Sequence, residues 1–273
     1  MSRFVVGDIH GCYDKLKTSL ELAKFSANDT LYAAGDYCDR GTQNLKTLRF
    51  LMSLKENFKG VFGNHDIWVW QYLAAKFNEL PSLSRDAESC WIYNGGKTTL
   101  KEFSTLSLKE LEEIFKWYSS LPYLRVIGSN VIVHALREKM TYPYMQNVDL
   151  ESIDIKRGLE EEYFVGDYDN WFWGRSIDRM LFSEKKELSQ EELEHYRASI
   201  DEGFEKGRDK TYIIGHTPYL DEGPHYHEGM KILNLDCASF AGKLLFKKEG
   251  QVCVMNLDTK EWFKSDGTIG VIR

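Results

Sequence analysis

Five short polar clusters of the sequence carry side chains that could bind metal ions, and each directly follows an apolar segment. They contain carboxylates, an asparagine amide and imidazoles. This mixture suits divalent ions of hard to borderline character, such as Mn²⁺, Fe²⁺ or Zn²⁺. Four of the seven histidines lie in these clusters, which makes isolated structural histidines a poor explanation. The clusters are GDIHG at 7–11, GDYCDRG at 35–41, GNHD at 63–66, VHA at 133–135 and GHT at 215–217.

The spacing of these residues predicts a site for two ions. Asp8 and His10 are two positions apart in an irregular loop, so that both can face one ion. Asp36 is the other strand-end carboxylate that could bridge this ion to a second one. Two divalent ions neutralise the oxygens of a phosphate ester and make bound water acidic enough to attack phosphorus near neutral pH. Three further residues would complete the second ion: Asn64, His134 and His216.

The elements that must position these clusters alternate strand, loop and helix three times in the first part of the chain. Such alternation predicts parallel strands that are connected by helices. Ligands bind in such sheets beyond the carboxyl ends of the strands, which is where the polar clusters fall. The predicted strands are 3–6, 30–34 and 60–62, and the predicted helices are 13–24, 43–55 and 65–77.

The rest of the chain predicts a further pair of strands, two helices and a mostly antiparallel sheet. Ser107 begins a capping box, S-x-x-E, at the start of a helix over 107–120. The segment 138–182 is expected to be irregular, and a charge-rich helix is expected within 184–206. Strands are expected at 123–126, 130–133, 211–214, 231–235, 243–246, 251–256 and 261–263. Together these elements predict an α/β sandwich of two mixed β-sheets flanked by α-helices, with a single domain over residues 1–273.

The composition excludes several classes of protein. Hydrophobic residues make up 42% and charged residues 28% of the 273 residues, which is ordinary for a globular protein. No run approaches the ~18 apolar residues of a membrane helix, and no secretory h-region is visible, so we expect no membrane partner. The net charge of −7 argues against binding of duplex nucleic acid. Five cysteines without a CxxC pair favour a reduced, cytoplasmic protein.

The motifs GDIHG, GDYCDRG and GNHD, followed by a strand-end histidine and GHT, resemble those of the calcineurin-like metallophosphoesterases. More narrowly, they resemble the bacterial and phage branch of the serine/threonine phosphoprotein phosphatases, with the symmetrical diadenosine tetraphosphatases as close relatives. The resemblance covers about residues 4–246. It implies two divalent ions, with Mn²⁺ favoured over Fe or Zn. The first ion would be held by Asp8, His10 and Asp36, and the second by Asp36, Asn64, His134 and His216.

The resemblance also implies four residues that act on the substrate. His65 would protonate the leaving oxygen, and Asp39 would orient the ring of His65. Arg40 and Arg175 would bind the phosphate. A proton donor is useful because an alkoxide leaving group is a strong base, and such assistance contributes roughly 10²–10⁴-fold to the rate.

The resemblance predicts a metal-dependent phosphatase that hydrolyses phosphomonoesters, in the first place phosphoserine or phosphothreonine in proteins. The alternative substrate is a dinucleoside polyphosphate, so the partner is a phosphorylated protein or a nucleotide. Phe62 stands where eukaryote-like phosphoprotein phosphatases have an arginine, and Asp66 stands where they have a glutamate. Both features resemble the tetraphosphatases, whereas the pair Asp39-Arg40 resembles the phosphatases. A nuclease and a non-catalytic phosphate-binding scaffold are more distant alternatives.

Other polar and aromatic residues have structural explanations that we weigh against functional ones. His225 and His227 could chelate a metal, but they lie in a Gly/Pro segment that favours a solvated loop. Trp171 and Trp173 could stack on a nucleobase, but we expect them to pack in the core. Asp236 could support the metal ligands or form a turn, and the sequence leaves both open.

Overall fold

The computed structural model describes the chain over residues 1–136, 149–160, 174–184, 186–201, 204–220, 223–242 and 248–273. Within these ranges, no helix is both long and apolar enough to cross a membrane.

Among the described residues, the first of two mixed β-sheets contains six strands, and its middle carries the first polar clusters. The strands are β1 (Arg3–Val6), β2 (Thr30–Ala33), β3 (Phe58–Gly60), β9 (Cys253–Asn256), β10 (Glu261–Lys264) and β11 (Ile269–Val271). Their order in the sheet is β11-β10-β9-β1-β2-β3. β1, β2 and β3 are parallel to one another, whereas β9 is antiparallel to β1. The carboxyl ends of β1, β2 and β3 therefore meet at one edge of this sheet.

The second sheet contains five strands in the order β4-β5-β6-β8-β7. They are β4 (Leu124–Ile127), β5 (Asn130–Val133), β6 (Thr211–Ile214), β7 (His225–His227) and β8 (Ile232–Asn234). β5, β6 and β8 are parallel, and the edge strands β4 and β7 are antiparallel to their neighbours. The two later histidine clusters follow β5 and β6. The fold is thus the predicted α/β sandwich of two mixed sheets.

Helices connect the strands and cover the sheets. The α-helices are α1 (Tyr13–Leu22), α2 (Asn44–Ser53), α3 (Asn64–Lys76), α4 (Arg85–Trp91), α5 (Lys97–Phe103), α6 (Leu108–Ser119), α7 (Ile155–Glu160), α8 (Ser176–Asp178) and α9 (Gln190–Asp201). Within the ranges given above, π-helical turns are formed by Ile92–Gly96 and Arg179–Ser183. One-turn 3₁₀ helices lie at Lys55–Asn57, Leu150–Ser152 and Glu205–Gly207.

The two sheets pack against each other through a cluster of buried apolar side chains. Val5 and Ala34 come from the first sheet, and Ile132, Ile213 and Leu233 come from the second. A larger apolar cluster fills the space between the sheets and the helices. This packing brings the carboxyl ends of β1, β2 and β3 close to those of β5 and β6, because apolar faces of both sheets must be removed from water together.

Several elements differ from those that the sequence predicts. The third strand is Phe58–Gly60 and not 60–62, because the chain leaves the sheet there: the amide of Phe62 donates to the carbonyl of Pro122 at 3.2 Å. Residues 225–227 form β7 and not a solvated loop. The expected irregular segment 138–182 contains α7 and α8. The expected strand at 243–246 and the two tryptophans at 171 and 173 lie outside the described residues.

Candidate metal centre

All six residues predicted as metal ligands meet where the carboxyl ends of the strands converge. Each is 0–4% exposed, so their polar atoms are removed from bulk water. Asp8 and His10 follow β1, Asp36 follows β2, and the remaining three come from three other segments. These three are Asn64 at the start of α3, His134 after β5 and His216 after β6.

Asp36 lies at the centre of this group. Its Oδ2 atom is 3.6 Å from Nε2 of His10 and 3.5 Å from Nε2 of His134. Nε2 of His10 is also 3.7 Å from Oδ2 of Asp8. Asp36 therefore lies between the Asp8–His10 pair and His134. A carboxylate that bridges two ions would need this position.

Asn64 connects the two later histidines. Its Oδ1 atom is 2.9 Å from Nε2 of His134 and 2.9 Å from Nδ1 of His216. Ligand atoms about 2.0–2.1 Å from a transition-metal ion lie roughly 2.8–3.5 Å from one another. The separations around Asn64 and Asp36 fall in or close to this range, so the arrangement fits a pair of divalent ions.

Backbone carbonyls fix the tautomers of two histidines. Nδ1 of His10 donates to the carbonyl of Cys38 at 2.9 Å, and Nδ1 of His134 donates to the carbonyl of Ala34 at 2.8 Å. Because a carbonyl can only accept, both Nε2 atoms carry a lone pair that points into the site. Nε2 of His134 then faces the Asn64 oxygen, so two acceptors meet without a hydrogen between them. A bound cation would satisfy both.

His216 is held differently. Nε of Arg175 donates to its Nε2 atom at 2.9 Å, so the ring hydrogen of neutral His216 lies on Nδ1 and points toward Asn64. Binding of a cation at Nδ1 would require this hydrogen to move to Nε2 and the contact with Arg175 to break. Arg175 thus lies against a candidate ligand, and its role in binding phosphate stays a prediction.

The charges of the site also favour a cation. Burial raises the pKa of Asp8 well above its usual range, and the nearby Asp236 and Asp36 raise it further. Burial and the carboxylate of Asp66 raise the pKa of Asp36 in the same way. Burial lowers the pKa of His134 to about 3. Buried carboxylates and neutral imidazoles are the protonation states that a divalent cation stabilises.

His65 and Asp39 form a buried hydrogen-bonded pair beside these residues. Nδ1 of His65 is 2.7 Å from Oδ2 of Asp39, and both side chains are fully buried. Burial lowers the pKa of His65, whereas the bond and the charge of Asp39 oppose this shift. A ring nitrogen of His65 also lies within 4.8 Å of potential ligand atoms of His10 and Asp36. The histidine is therefore both oriented by a carboxylate and close to the candidate metal ligands.

Arg40 reaches the same site from the loop after β2. Its Nη1 atom is 2.8 Å from Nε2 of His10, and its guanidinium carbon lies 4.3 Å from the ring centre of Phe240. Phe240 also contacts the His10 ring edge-on, with centroids 5.4 Å apart. The sequence gives no indication of Phe240, because this residue follows no strand-end motif and lies 200 residues from Arg40.

Trp91 and Thr99 are two further residues that the sequence analysis missed. Both donate hydrogen bonds to the carboxylate of Asp39. The only signal in the sequence is the Asn94-Gly95-Gly96 run, which interrupts an otherwise helical pattern.

The backbone at the site adopts conformations that most residues avoid. His10, Asp36 and His216 have φ angles of 46°, 54° and 70°. Such left-handed conformations cost of order 1–3 kcal/mol each and persist where the surrounding structure enforces them. Gly215 lies so close to Asp8 that no side chain fits there, because a Cβ atom at Gly215 would lie 2.0 Å from Oδ1 of Asp8.

Two other candidates from the sequence have different surroundings. His227 accepts a hydrogen bond at Nδ1 from the amide of Met230, at 3.1 Å, within the turn that follows β7. Asp236 accepts from the amide of Ala238 at 2.9 Å, and its own amide donates to Asn234. Asp236 therefore forms a turn, and its negative charge also raises the pKa of Asp8.

Comparison with known proteins shows what this chain is similar to. The chain is similar to the symmetrical bis(5'-nucleosyl)-tetraphosphatase of Wigglesworthia glossinidia brevipalpis, with 26% identity over 191 residues, 66% of this chain and 64% of that protein. It is similar to the enzyme of the same name from Vibrio campbellii, with 35% identity over 136 residues, 50% of this chain and 44% of that protein. These matches span less than two thirds of the relatives' own length.

Solved structures share the fold. A protein assigned as a diadenosine tetraphosphatase superposes with a TM-score of 0.51 at 16% identity, covering 99% of this chain and 92% of that one. The cold-active protein-tyrosine phosphatase of a psychrophilic Shewanella gives 0.54 at 16% identity, covering 100% and 80%. The sequence pattern of the family described as "Calcineurin-like phosphoesterase" matches residues 1–246. The resemblance seen in the motifs is thereby confirmed, and the chain belongs to the calcineurin-like phosphoesterase family.

Proposed function

We propose that this chain is a two-metal phosphoesterase that hydrolyses dinucleoside polyphosphates at a phosphoanhydride bond. The convergence of six candidate ligand side chains, with Asp36 at their centre, carries the metal-dependent part of this proposal. The names of the two relatives described above, both symmetrical bis(5'-nucleosyl)-tetraphosphatases, support the nucleotide part. They support it better than the phosphoprotein substrate that the sequence analysis places first.

The residues divide between two ions as the motifs imply. Asp8, His10 and Asp36 would hold the first ion. The second would be held by Asp36 together with Asn64, His134 and His216. When bound, the two ions would neutralise phosphoryl oxygens and make water acidic enough to react near neutral pH. Mn²⁺ is our first choice of metal because carboxylate, amide and imidazole ligands suit it, and Fe and Zn are the alternatives.

The remaining residues act on the substrate itself. His65 would deliver a proton to the leaving oxygen, and Asp39 holds its ring through the hydrogen bond at Nδ1. Arg40 and Arg175 would bind the phosphate, because a guanidinium can donate two parallel hydrogen bonds to phosphate oxygens. Both guanidinium groups already lie against candidate ligands, His10 and His216.

Phe62 supports the nucleotide substrate. It stands in the position where the phosphoprotein phosphatases that the motifs resemble have an arginine. The Phe62 side chain is fully buried, and its ring packs near that of Tyr123, with centroids 6.1 Å apart. One phosphate-binding group of those phosphatases therefore has no counterpart at this position.

A phosphoprotein remains the second candidate because of the Asp39–His65 pair. The leaving group of a phosphoserine is a strongly basic alkoxide, whereas the leaving group of a phosphoanhydride is a weak base. A buried carboxylate–histidine pair aimed at the leaving group is of most use to the alkoxide. This pair is the specific observation that favours a phosphomonoester.

Side-by-side turnover of diadenosine tetraphosphate and a phosphoserine peptide, with Mn²⁺ or with EDTA, tests the proposal. We expect faster, EDTA-sensitive hydrolysis of the nucleotide. Faster hydrolysis of the peptide would make a phosphoprotein the preferred substrate and would leave the proposed two-metal hydrolysis unchanged. Hydrolysis that ignores EDTA and survives Asp36→Asn would refute the two-metal proposal, and no hydrolysis of either substrate would favour a phosphate-binding scaffold.

A further inference from the structure

One segment downstream of the polar clusters wraps around Asp39 and Arg40. It comprises the end of α4, the π-helical turn Ile92–Gly96 and the start of α5, and we call it the 91–99 segment. None of its residues belongs to a strand-end cluster. Its contacts with the two loop residues are nevertheless direct.

The side chains of this segment hold the carboxylate of Asp39 from two sides. Nε1 of Trp91 donates to Oδ2 of Asp39 at 2.7 Å, the same oxygen that His65 contacts. The Thr99 hydroxyl donates to Oδ1 at 2.5 Å and accepts from the Asp39 amide at 3.0 Å. Trp91, Thr99 and Asp39 are all fully buried. Three donors therefore fix one orientation of the carboxylate, and through it the plane of the His65 ring.

The backbone of the same segment holds Arg40. The Arg40 amide donates to the carbonyl of Gly95 at 3.1 Å, and its Nε donates to the carbonyl of Asn94 at 3.4 Å. Gly95 has a φ angle of 107°, and a Cβ atom there would lie 2.6 Å from the Arg40 nitrogen. A Cβ atom at Gly96 would lie 2.4 Å from Nε1 of Trp91. The two glycines thus allow the turn to approach as closely as these bonds require.

We propose that Trp91 and Thr99 are positioning residues for protonation of the leaving group. The inference rests on the proposed function, because it takes His65 as the proton donor. As water forms the new P–O bond, the bond to the leaving oxygen breaks and its electron pair stays on that oxygen. The oxygen takes the proton from Nε2 of His65, while the Nδ1 hydrogen stays on the ring and remains hydrogen-bonded to the Asp39 carboxylate. The attacking water releases one proton to the surrounding solvent, so that atoms and charge balance. Trp91 and Thr99 keep that carboxylate from rotating away.

The test compares Trp91→Phe with Trp70→Phe. Trp70 is also buried and also donates its indole N–H, to the Ser119 hydroxyl at 2.8 Å, but it lies away from Asp39. We expect Trp91→Phe to lower kcat roughly tenfold on phenyl phosphate, which has a basic leaving group, and less than about threefold on p-nitrophenyl phosphate. KM and bound Mn²⁺ should stay unchanged. Trp70→Phe should change kcat on the two substrates by the same factor.

A second pair of variants covers the case in which Trp91→Phe fails to fold. Thr99→Val removes the hydroxyl and should reproduce the leaving-group dependence, whereas Thr99→Ser should restore the wild-type ratio of the two substrates. Equal losses on both substrates in Trp91→Phe or Thr99→Val would overturn the inference. If wild-type activity is confined to a phosphoanhydride, Trp91→Phe and Thr99→Val should still lower kcat on diadenosine tetraphosphate with unchanged KM and bound Mn²⁺, and a wild-type kcat in both variants would overturn the inference while leaving the phosphoesterase proposal intact. Wild-type protein that hydrolyses no phosphate compound would refute the proposed function itself.

Discussion

Nδ1 of His134 donates to the carbonyl of Ala34 at 2.8 Å, and this bond joins the second sheet to the first. Ala34 directly follows β2, and His134 directly follows β5, so the packing of the two sheets fixes the tautomer of the histidine. Its Nε2 lone pair must then face Asn64 and Asp36. The fold itself therefore builds a site in which acceptors converge. Metal binding and folding stability must be coupled in such a protein.

The first prediction concerns this coupling. Asp36→Asn should raise the Tm of the metal-free protein, because it removes a buried acid whose ionisation is unfavourable beside Asp8 and Asp66. It should also abolish most of the stabilisation by metal. At 100 times its Kd, Mn²⁺ should stabilise the wild type by about 2.7 kcal/mol, or roughly 5–10 °C. Thermal unfolding with Mn²⁺ and with EDTA measures both effects.

Asp29→Asn is the matched control for this experiment. Asp29 is buried, and it accepts hydrogen bonds from the amides of Ser2 and Ser26, away from the metal centre. Its substitution should lower the Tm of both forms and leave the increment due to metal unchanged. If Mn²⁺ raises the Tm of Asp36→Asn as much as it raises the Tm of the wild type, Asp36 is not a metal ligand.

The second prediction concerns pH. Burial lowers the pKa of His65, and Asp39 opposes this shift through its hydrogen bond and charge. Asp39→Asn removes the opposing contribution, so the pKa of His65 falls further and less of the histidine is protonated at any given pH. The alkaline limb of the kcat profile on a phosphomonoester should therefore move to lower pH, and kcat at pH 7.5 should fall roughly 10–100-fold. If the alkaline limb of the kcat profile stays at the same pH in Asp39→Asn, Asp39 does not act through the proton donor.

The part of the site that the sequence could predict lies at strand ends. Asp8, Asp36 and His134 each follow a short apolar run, and parallel strands bring such positions to one edge whatever the details of packing. The same reasoning works for local signals. The Ser107 hydroxyl accepts from the amide of Glu110, and the amide of Ser107 donates to the Glu110 carboxylate, as the capping box predicts.

The part that could not be predicted depends on packing between distant segments. Trp91 and Thr99 lie on either side of a π-helical turn and both donate to Asp39, and no periodicity of the sequence encodes such a turn. Phe240 contacts Arg40 from a loop two hundred residues away. The Gly/Pro segment around His225 and His227 favours a loop, and three residues are too few to show an alternating pattern. The segment becomes a strand because its register with β8 pairs His225 with Asn234.

The third prediction separates substrate binding from metal binding. The Arg40 guanidinium lies 2.8 Å from Nε2 of His10, and its charge lowers the pKa of that histidine, after burial. Arg40→Ala should raise KM roughly tenfold or more, because it removes a charge-assisted contact to phosphate. It should not weaken binding of Mn²⁺, because a positive charge beside a ligand is lost. Arg49→Ala, which breaks only an exposed pair with Glu110, is the control. An unchanged KM would exclude Arg40 from the phosphate site.

The fourth prediction alters the metal centre without removing a ligand. Gly63 has a φ angle of −109°, which alanine adopts freely, but a Cβ atom there would lie 2.2 Å from Oδ1 of Asp36 and 2.8 Å from Nδ1 of His134. Gly63→Ala should displace both side chains and lower the affinity for Mn²⁺ roughly 10–100-fold. Isothermal titration of the metal-free protein with Mn²⁺ measures the affinity.

Overpacking also destabilises folded proteins, typically by about 1–3 kcal/mol, so urea unfolding of the metal-free variant must be measured beside the titration. Gly242→Ala is the matched control, because no described atom lies within 4 Å of a Cβ atom at that position. It should bind Mn²⁺ as the wild type does. If Gly63→Ala also binds Mn²⁺ with wild-type affinity while remaining folded, the ions cannot depend on the observed positions of Asp36 and His134, and the assignment of both residues as ligands fails.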